Sequence, residues 1–507
     1  MSDVLRQPRP VRTGPLALGD LLPQLDAGTS AVSVSGVALD SRRVLPGDLY
    51  VALPGRDTHG ARFAGAAVEA GAAAVLTDPA GAELAGDLAV PVIVVAEPRG
   101  ELARLAAAVY GRPSESLLML GLTGTAGKTS TALLIEAGLA AAGLAAGTIG
   151  TIGFRLRGEP LPAVRSTVTT PESPDLQALL AVMLEGGAQA VAMEVSSHAL
   201  ALNRVDEIVF DVAGFTNLGH DHLDFHRDQE SYFRAKAGLF LGGRSRRAVV
   251  NVDDPWGARL AAELRAEGLA RLATTGADAD YRILARDLRQ DGGSRVRLAT
   301  PSGEIGFTLG LMGEFNVRNA LTAAAMLDQA GVGLEAALAG FATASLPGRM
   351  QRVPLPGAAP NVVVDFAHTP EEVAAALAAV PAGRTVVVLG CGGDRDAAKR
   401  EPMGEAAAAG ADLVVVTDDN PRSEDPAMLR QAVLTGARRA AATTGAVVID
   451  GGDRRTAIRT ALAAAEPGEW VAILGKGHEQ GQEIAGVITP FDDVTVAAEA
   501  WQEIIHG

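Results

Sequence analysis

Short apolar runs alternate with Ala-rich helical stretches along almost the whole chain, and the runs end in Gly or polar residues. This alternation predicts repeated α/β units built on parallel sheets. Two joints rich in Pro and Gly, "GRPSES" and "ASLPGRMQRVPLPGAAP", interrupt the pattern. We therefore predict three domains, at 1–114, 115–347 and 348–507, which agrees with the usual size of domains for a chain of 507 residues.

Four apolar runs of the last block each lead into a polar loop, and these loops have recognisable polar clusters. The clusters occupy 365–369, 392–396, 418–422 and 475–479. Because the carboxyl ends of parallel strands meet at one edge of a sheet, where open α/β sheets bind ligands, we expect the four clusters to converge on one crevice.

Composition narrows the class of protein. The formal net charge is −16, which argues against general binding to nucleic acid or to anionic membranes, since both require a basic face. A single cysteine, Cys391, excludes an internal disulfide framework and a Cys-rich zinc site. Neither a signal peptide nor an apolar run of about 18 residues is present, so a soluble, cytoplasmic protein is expected.

The stretch "GLTGTAGKTS" at 121–130 has the residues of a phosphate-binding loop. Glycines allow backbone N–H groups to turn towards phosphate oxygens, Lys128 can reach the terminal phosphates, and the Thr129 hydroxyl can hold magnesium. The strict pattern has Gly where this chain has Leu122. The structural alternative is a Gly-rich turn, but the order of strand, loop and helix favours the phosphate site.

Two further stretches carry candidate metal ligands. "AVAMEVSSHAL" delivers Glu194 to the end of a predicted strand, where a magnesium ligand or an ordinary capping residue would both fit. "FTNLGHDHLDFH" at 215–226 contains three of the eight histidines of the chain. Its spacing fits neither the HExxH motif nor a Cys/His zinc site, so we predict magnesium with oxygen ligands and one imidazole.

Lysine is rare in this chain, which makes each lysine informative. Only Lys128, Lys236, Lys399 and Lys476 are present, against forty arginines. Lys236 in "SYFRAKAGLF" could be a surface lysine whose stem covers apolar area. Arginine would serve that purpose equally well, so we favour chemistry that requires a primary amine.

As a set, these motifs resemble those of the Mur ligase family. "TGTAGKTS", "MEVSSHAL", "FTNLGHDHLDFH", "YFRAKAGLF", "GEFNVRNALTA", "PGRMQRV", "DFAHTP" and "GKGHE" occur in the family's order and span nearly the whole chain. The resemblance implies an N-terminal α/β domain that binds UDP, a central phosphate-loop ATPase domain with a parallel sheet, and a C-terminal Rossmann-like domain that binds an amino acid.

The resemblance also implies roles for individual residues. The expected catalytic residues are Lys128, Glu194, His222 and Lys236. Magnesium would be held by Thr129, Glu194, His222 and Lys236 as a carbamate. ATP would be bound by Thr123, Gly124, Thr125, Ala126, Gly127, Lys128, Thr129, Asn316, Arg349 and Asp365. The UDP-linked substrate would be bound by Leu39, Ser41, Arg56, Asp57, Thr58, Thr169, Thr170, Ser196 and Arg204. Two positions differ from many members: His59 stands in an Asp position and Leu202 in a Gln position.

Family members that add the third residue of the peptidoglycan stem peptide differ in one C-terminal loop, and those using meso-diaminopimelate carry Asp-Asn-Pro-Arg there. This chain has Asp419, Asn420, Pro421 and Arg422. Diaminopimelate has a second carboxylate that lysine lacks, and an arginine can bind this carboxylate through two hydrogen bonds. Arg395, Gly475 and Glu479 would complete this pocket.

The implied reaction is ATP-dependent formation of an amide bond through an acyl phosphate. Its substrates would be UDP-N-acetylmuramoyl-dipeptide, meso-diaminopimelate and ATP. The third block would close over the central one during the reaction, and the enzyme would be a monomer. In the family, the equivalent of Lys236 reacts with carbon dioxide to form a carbamate, which requires a neutral amine and is helped by burial. Alternatives are lysine or ornithine as acceptor, folate polyglutamate ligation, and a nucleotide-dependent switch.

Overall fold

The computed structural model describes residues 9–55, 57–161, 168–219, 225–268, 271–289 and 291–506. Its contacts divide these residues into two compact units. The first unit runs to Ile283 and includes Leu298–Ile305 and Asn319–Gly340. The second unit comprises Leu284–Arg297, Gly306–Arg318 and the chain from Phe341 on.

The N-terminal part of the first unit is built on a parallel sheet of four strands in the order β3-β4-β5-β6. β4 is buried along its whole length, because helices cover the sheet with small and aliphatic side chains. The four strands are β3 (Gly36–Ala38), β4 (Asp48–Ala52), β5 (Ala74–Thr77) and β6 (Val92–Val94). The two preceding strands, β1 (Leu16–Ala17) and β2 (Ser33–Val34), form a separate two-stranded sheet. The helices are α1 (Leu18–Leu21), α2 (Ala27–Ser30), α3 (Ala64–Glu69), α4 (Pro79–Ala85) and α5 (Pro98–Val109), with 3-10 turns at Ser41–Arg43, Gly60–Phe63 and Pro113–Ser116.

An eight-stranded sheet follows, in the order β10-β9-β8-β11-β7-β12-β13-β14. Its strands are β7 (Leu118–Thr123), β8 (Ala146–Gly150), β9 (Gly153–Leu156), β10 (Glu159–Pro160), β11 (Ala190–Glu194), β12 (Val212–Phe215), β13 (Ala248–Asn251) and β14 (Leu272–Thr275). The six strands from β8 to β14 in this order pair in parallel, and β9 and β10 pair antiparallel at one edge. The helices are α6 (Lys128–Ala141), α7 (Ser173–Glu185), α8 (Ser197–Ala201), α9 (Gln229–Ala237) and α10 (Pro255–Ala266).

The central position of β7 decides which residues surround its carboxyl end. Glu194 of β11 pairs in register with Leu122, and Phe215 of β12 pairs with Thr123. The loops that follow three neighbouring strands therefore leave the sheet side by side, which is the usual position of a ligand site in an open parallel sheet.

A smaller sheet and two helices follow: β15 (Arg282–Leu288), β16 (Ser294–Thr300), β17 (Gly303–Leu309), α11 (Glu314–Gln329) and α12 (Leu334–Ala339), with a 3-10 turn at Gly340–Ala342. The last sheet has six strands in the order β18-β19-β23-β20-β21-β22, parallel except for β18. Its strands are β18 (Gln351–Val353), β19 (Asn361–Asp365), β20 (Thr385–Leu389), β21 (Leu413–Thr417), β22 (Val447–Gly452) and β23 (Trp470–Leu474), and β24 (Gly481–Ile484) and β25 (Val487–Pro490) form a separate hairpin. The helices are α13 (Pro370–Ala379), α14 (Arg400–Gly410), α15 (Pro426–Thr444), α16 (Arg454–Ala464) and α17 (Asp493–His506), with a 3-10 turn at Ala397–Lys399.

The expected α/β architecture is thus confirmed, with a separate parallel sheet in each of the three blocks. Four strands of the last sheet, β19, β20, β21 and β23, are neighbours, so the polar clusters at their carboxyl ends leave one edge, as the sequence predicts. The three domain boundaries remain predictions. None of the helices in the described residues is long and apolar enough to span a membrane.

A fully buried ion pair joins the first turns of α16 and α17. The Arg454 guanidinium donates to both carboxylate oxygens of Asp493 at 2.7 Å, and neither side chain is exposed. Arg454 also donates to the carbonyl oxygen of Leu474 at 3.0 Å, so the pair is tied to the end of β23.

Arg454→Met should lower the free energy of unfolding by about 3–5 kcal/mol, because it leaves the Asp493 carboxylate buried without its cation. Arg454→Met combined with Asp493→Leu should recover most of this loss, since no buried charge remains. Chemical denaturation of the two variants checks this. A surface control is Arg439→Met, whose exposed guanidinium pairs with Glu401, and it should change stability by less than about 1 kcal/mol. A double variant no more stable than the single one would contradict the argument.

Candidate functional site

The glycine-rich loop between β7 and α6 has the conformation of a phosphate cradle. Gly124 and Gly127 have φ values of +149° and +85°. A Cβ atom on Gly124 would lie 1.9 Å from the Thr216 hydroxyl, so this position admits only glycine. The backbone of the loop is fixed by Asn217, whose carbonyl oxygen accepts from the Thr125 N–H and whose side-chain oxygen accepts from the Ala126 N–H, both at 2.9 Å.

Two lysine ammonium groups converge on one carbonyl oxygen of this loop. Lys128 Nζ donates to the carbonyl oxygens of Gly124 and Thr125 at 2.9 Å. Lys236 Nζ, from α9, donates to the same Gly124 oxygen at 2.8 Å. Positive charge is therefore concentrated beside a helix N-terminus, an arrangement suited to a polyphosphate anion.

Lys236 is buried, with 1 % of its surface exposed, and lysine is rarely buried unless a partner accompanies it. Its Nζ lies 4.4 Å from the ring centroid of Tyr232, one turn earlier in α9. The Tyr232 hydroxyl lies 3.2 Å from the Thr125 hydroxyl, so the same tyrosine contacts both the lysine and the phosphate loop. A capping box between Asp228 and Ser231 begins this helix. The surface-lysine interpretation of Lys236 is therefore wrong for this structure.

Glu194 lies at the end of β11 and is 1 % exposed. Its Oε1 accepts from the Thr129 hydroxyl and from the Thr151 N–H, both at 2.9 Å, and its Oε2 accepts from the Thr151 hydroxyl at 3.1 Å. These hydrogen bonds from Thr129 and Thr151 hold the carboxylate beside the first turn of α6. Mg²⁺ prefers oxygen ligands, and proteins usually bind it through one or two carboxylates while it keeps several waters. The Glu194 carboxylate and the Thr129 hydroxyl therefore have suitable chemistry.

The predicted magnesium ligand His222 lies outside the described residues. From the same sequence motif, His226 is buried and its Nε2 lies 2.9 Å from the Ser197 hydroxyl. The described residues contain no group of three His, Cys, Asp or Glu side chains that could hold a metal ion.

A second group of predicted residues lies next to Glu194. Thr170 donates its hydroxyl to the Glu194 carbonyl oxygen at 2.9 Å and accepts from the Ser196 N–H at 3.0 Å. Arg204 donates to the Thr170 carbonyl oxygen at 3.0 Å and pairs with Glu172 at 2.9 Å. The Thr169 and Thr151 hydroxyls lie 3.2 Å apart, and Thr151 also donates to Glu194. Hydrogen bonds therefore connect the predicted substrate residues to Glu194.

The predicted uridine-diphosphate residues lie at the ends of β3 and β4. Leu39 and Ser41 follow β3, and Asp57 and Thr58 are exposed in the loop after β4. Arg56 lies outside the described residues. His59, for which the resemblance predicts Asp, accepts from the Ala61 N–H at 3.0 Å and contacts Asp78 at 3.2 Å. It therefore stabilises the loop that carries Asp57 and Thr58.

The predicted ATP residues of the second unit are Asn316, Arg349 and Asp365. Asn316 is fully buried, and its amide donates to the Met312 carbonyl oxygen at 2.8 Å. Asp365 ends β19 and accepts from the backbone N–H groups of Met350 and Ala367 at 2.6 and 2.8 Å. Burial raises the pKa of its carboxyl, and the charge of Arg349 opposes this increase.

The predicted acceptor residues form a cluster in the loops after β20, β21 and β23, in which Asn420 and Glu479 are hydrogen-bonded to each other. The Asn420 amide donates to Glu479 Oε2 at 2.7 Å. Arg422, which has a φ of +53°, donates to the Gly393 carbonyl oxygen at 2.6 Å. Gly475 has a φ of +113°, and a Cβ there would lie 2.7 Å from Asp419 Oδ2. Pro421 lies between Asn420 and Arg422, and Arg395 is exposed in the loop after β20.

Three residues of the first unit contact the predicted site although the sequence did not point to them. They are Thr151, which holds Glu194, Asn217, which holds the phosphate loop, and Tyr232, which contacts Lys236. Asn217 and Tyr232 belong to the two motifs around the histidines and Lys236, so the density of polar residues there was an available signal. Thr151 follows β8 and gave no such signal.

Comparison with known proteins decides the family. Three family models match in succession: the Mur ligase family catalytic domain at residues 33–110, the Mur ligase middle domain at 122–327, and the Mur ligase glutamate ligase domain at 348–477. A protein of Streptomyces coelicolor, UDP-N-acetylmuramoyl-L-alanyl-D-glutamate--2,6-diaminopimelate ligase, is 49 % identical over 502 residues, 97 % of this chain and 98 % of the relative.

The chain belongs to the Mur ligase family. A relative of the same name from Streptomyces avermitilis is 47 % identical and covers 98 % of both chains. A solved structure of a UDP-N-acetylmuramoyl-L-alanyl-D-glutamate--2,6-diaminopimelate ligase is 31 % identical, with a TM-score of 0.72, and the match covers 97 % of this chain and all of that one. The resemblance inferred from the motifs is therefore confirmed, and this Mur ligase is an enzyme that forms carbon–nitrogen bonds.

Proposed function

We propose that this Mur ligase joins meso-diaminopimelate to the D-glutamate γ-carboxylate of UDP-N-acetylmuramoyl-L-alanyl-D-glutamate, with conversion of ATP to ADP and phosphate. The names of full-length relatives at 47–49 % identity support this activity. The observation that carries the proposal is the convergence of Lys128 and Lys236 on the phosphate loop beside Glu194.

The proposed reaction has two chemical steps. An oxygen of the γ-carboxylate attacks the γ-phosphorus of ATP, the bond to the bridging oxygen breaks, and ADP leaves. The amine nitrogen of the acceptor then attacks the carbonyl carbon of the acyl phosphate. Inorganic phosphate leaves with the electron pair of the carbon–oxygen bond, and the amine loses a proton to solvent.

The chain's residues contribute mainly position and charge to these steps. The loop N–H groups and Lys128 would bind and orient the phosphates, which lowers the barrier for transfer of a highly charged group. Arg204, Thr170 and Ser196 form a hydrogen-bonded row next to Glu194 and would orient the carboxylate substrate. When bound, Mg²⁺ would offset charge on the phosphate oxygens, with Thr129, Glu194, His222 and a carbamate on Lys236 as its proposed ligands.

The acceptor assignment rests on the cluster in the second unit. Asn420 and Glu479 offer an amide and a carboxylate to an amino-acid head, and Arg422 offers a guanidinium that suits a second carboxylate. Gly475, Arg395, Asp419 and Pro421 are proposed to complete the pocket.

We also propose Leu39, Ser41, Arg56, Asp57, Thr58 and Thr169 as contacts of the UDP-linked substrate. Dependence on ATP favours a cytoplasmic enzyme, and we propose a monomer.

The acceptor proposal predicts a strong preference among amino acids. With ATP and the UDP-linked dipeptide, kcat/KM should be at least about 100-fold higher with meso-diaminopimelate than with L-lysine or L-ornithine, because Arg422 has no carboxylate partner on the shorter acceptors. Release of ADP and mass spectrometry of the product measure this. Equal ADP release without any amino acid would refute ligation, whereas preference for lysine would refute only the acceptor.

A further inference from the structure

The side chain of Lys476 is buried at the carboxyl end of β23, and none of it is exposed. Its Nζ donates to Asn420 Oδ1 at 3.0 Å and to Glu479 Oε2 at 3.1 Å, and it lies 3.8 Å from Asp419 Oδ1. Burial of an ammonium group is costly unless partners surround it. Here every one of these partners belongs to the cluster assigned above to the acceptor.

Lys476 fixes the orientation of the Asn420 amide. Oδ1 of Asn420 accepts from Lys476 Nζ and from the Glu483 N–H, each at 3.0 Å. An amide oxygen has two lone pairs, so these two donors use its full capacity. The amide nitrogen must then point the other way, and it donates one hydrogen to Glu479 Oε2 at 2.7 Å. Among the residues that the structure describes, the second N–H of this amide has no hydrogen-bond acceptor, so it is available for a ligand.

The same lysine also fixes one end of the Glu479 carboxylate. Oε2 accepts from both Lys476 Nζ and Asn420 Nδ2, whereas the hydrogen bonds of Glu479 within the described residues leave Oε1 available. The Glu479 side chain is 35 % exposed, in contrast to the buried lysine beneath it. An available N–H and an available carboxylate oxygen therefore stand on neighbouring side chains.

We propose that Lys476 is a positioning residue for the acceptor amino acid, which holds Asn420 and Glu479 so that they bind one ammonium-and-carboxylate head together. The identity of the acceptor rests on the function proposed above. Lys476 does not touch the reacting atoms in this proposal; it acts through its two partners. A single compact charge with three donors suits this position better than the broad, planar guanidinium of arginine.

The test is a comparison of the two half-reactions in Lys476→Met and Lys476→Gln. The KM for meso-diaminopimelate should rise at least about 10-fold in the Met variant, with a smaller rise in the Gln variant, whose amide can still donate to Asn420. The KM values for ATP and for the UDP-linked dipeptide should stay within about 2-fold. Trapping of the acyl phosphate by hydroxylamine, in the absence of amino acid, should proceed at the wild-type rate.

A matched control lies at the opposite end of the same strands. Arg384, before β20, pairs with Glu469, before β23, at 2.6 Å, and Arg384→Met should leave all three KM values unchanged. An unchanged KM for diaminopimelate, or equal losses in the two half-reactions, would overturn the proposal. If Lys476→Met does not fold, the Gln variant decides by the same criteria. Failure of the wild-type enzyme to form the tripeptide product would instead refute the proposed function.

Discussion

Replacing Lys128 by methionine is expected to reduce kcat for ligation by about 10²–10³-fold, the usual cost of removing one preorganised donor from a developing charge. Lys128 Nζ lies within the phosphate loop, 2.9 Å from two of its carbonyl oxygens, so it is already in place when a nucleotide binds. Methionine has a similar length but no charge to compensate the phosphate oxygens. ADP release with all three substrates measures the loss.

The same variant should fold normally, because the charge of Lys128 serves the ligand rather than the core. Glu136→Gln in the same helix is the matched control, since Glu136 pairs with Arg155, away from the loop, and its kcat should stay within about 2-fold. Thermal unfolding of both variants separates loss of function from loss of structure. A Lys128→Met enzyme with more than about half of the wild-type kcat would contradict the role assigned to the loop.

The parts of the site that sequence could predict are those fixed by local order along the chain. The phosphate loop needs glycines at set positions between a strand and a helix, and Gly124 and Gly127 have the positive φ values that this function requires. The four polar clusters of the last block follow apolar runs, so the topology of a parallel sheet suffices to bring them to one edge.

The parts that sequence could not predict depend on contacts between distant segments. The hydrogen bond from Lys236 to Gly124 joins residues 112 positions apart, and no spacing rule encodes it. Thr151 holds Glu194 only because β8 and β11 are neighbours in the sheet. Likewise, the rarity of lysine singled out Lys476, but its role required the partners Asn420 and Glu479 to be seen.

The convergence of Lys128 and Lys236 raises the question of which charge Lys236 carries in the working enzyme. Two ammonium groups that donate to one carbonyl oxygen repel each other. A neutral amine is the form that reacts with carbon dioxide. The carbamate proposed for Lys236 would turn this repulsion into attraction, because an anion would then face Lys128 and any bound magnesium.

Lys236→Arg is therefore expected to abolish ligation, with a loss of at least about 10²-fold, since a guanidinium keeps the positive charge but cannot form the carbamate. Lys236→Ala should be equally impaired and should regain part of its activity with acetate, which supplies a carboxylate in the vacated space.

Arg234→Met is the control on the same helix, because Arg234 is exposed and pairs with Glu230 and Glu263. Carbon-13 NMR after addition of labelled bicarbonate gives a readout independent of activity: a carbamate signal should be present in the wild-type enzyme and absent from Lys236→Arg. Full activity in the Arg variant would show that Lys236 acts as a simple cation, and the carbamate would then have no role in this enzyme.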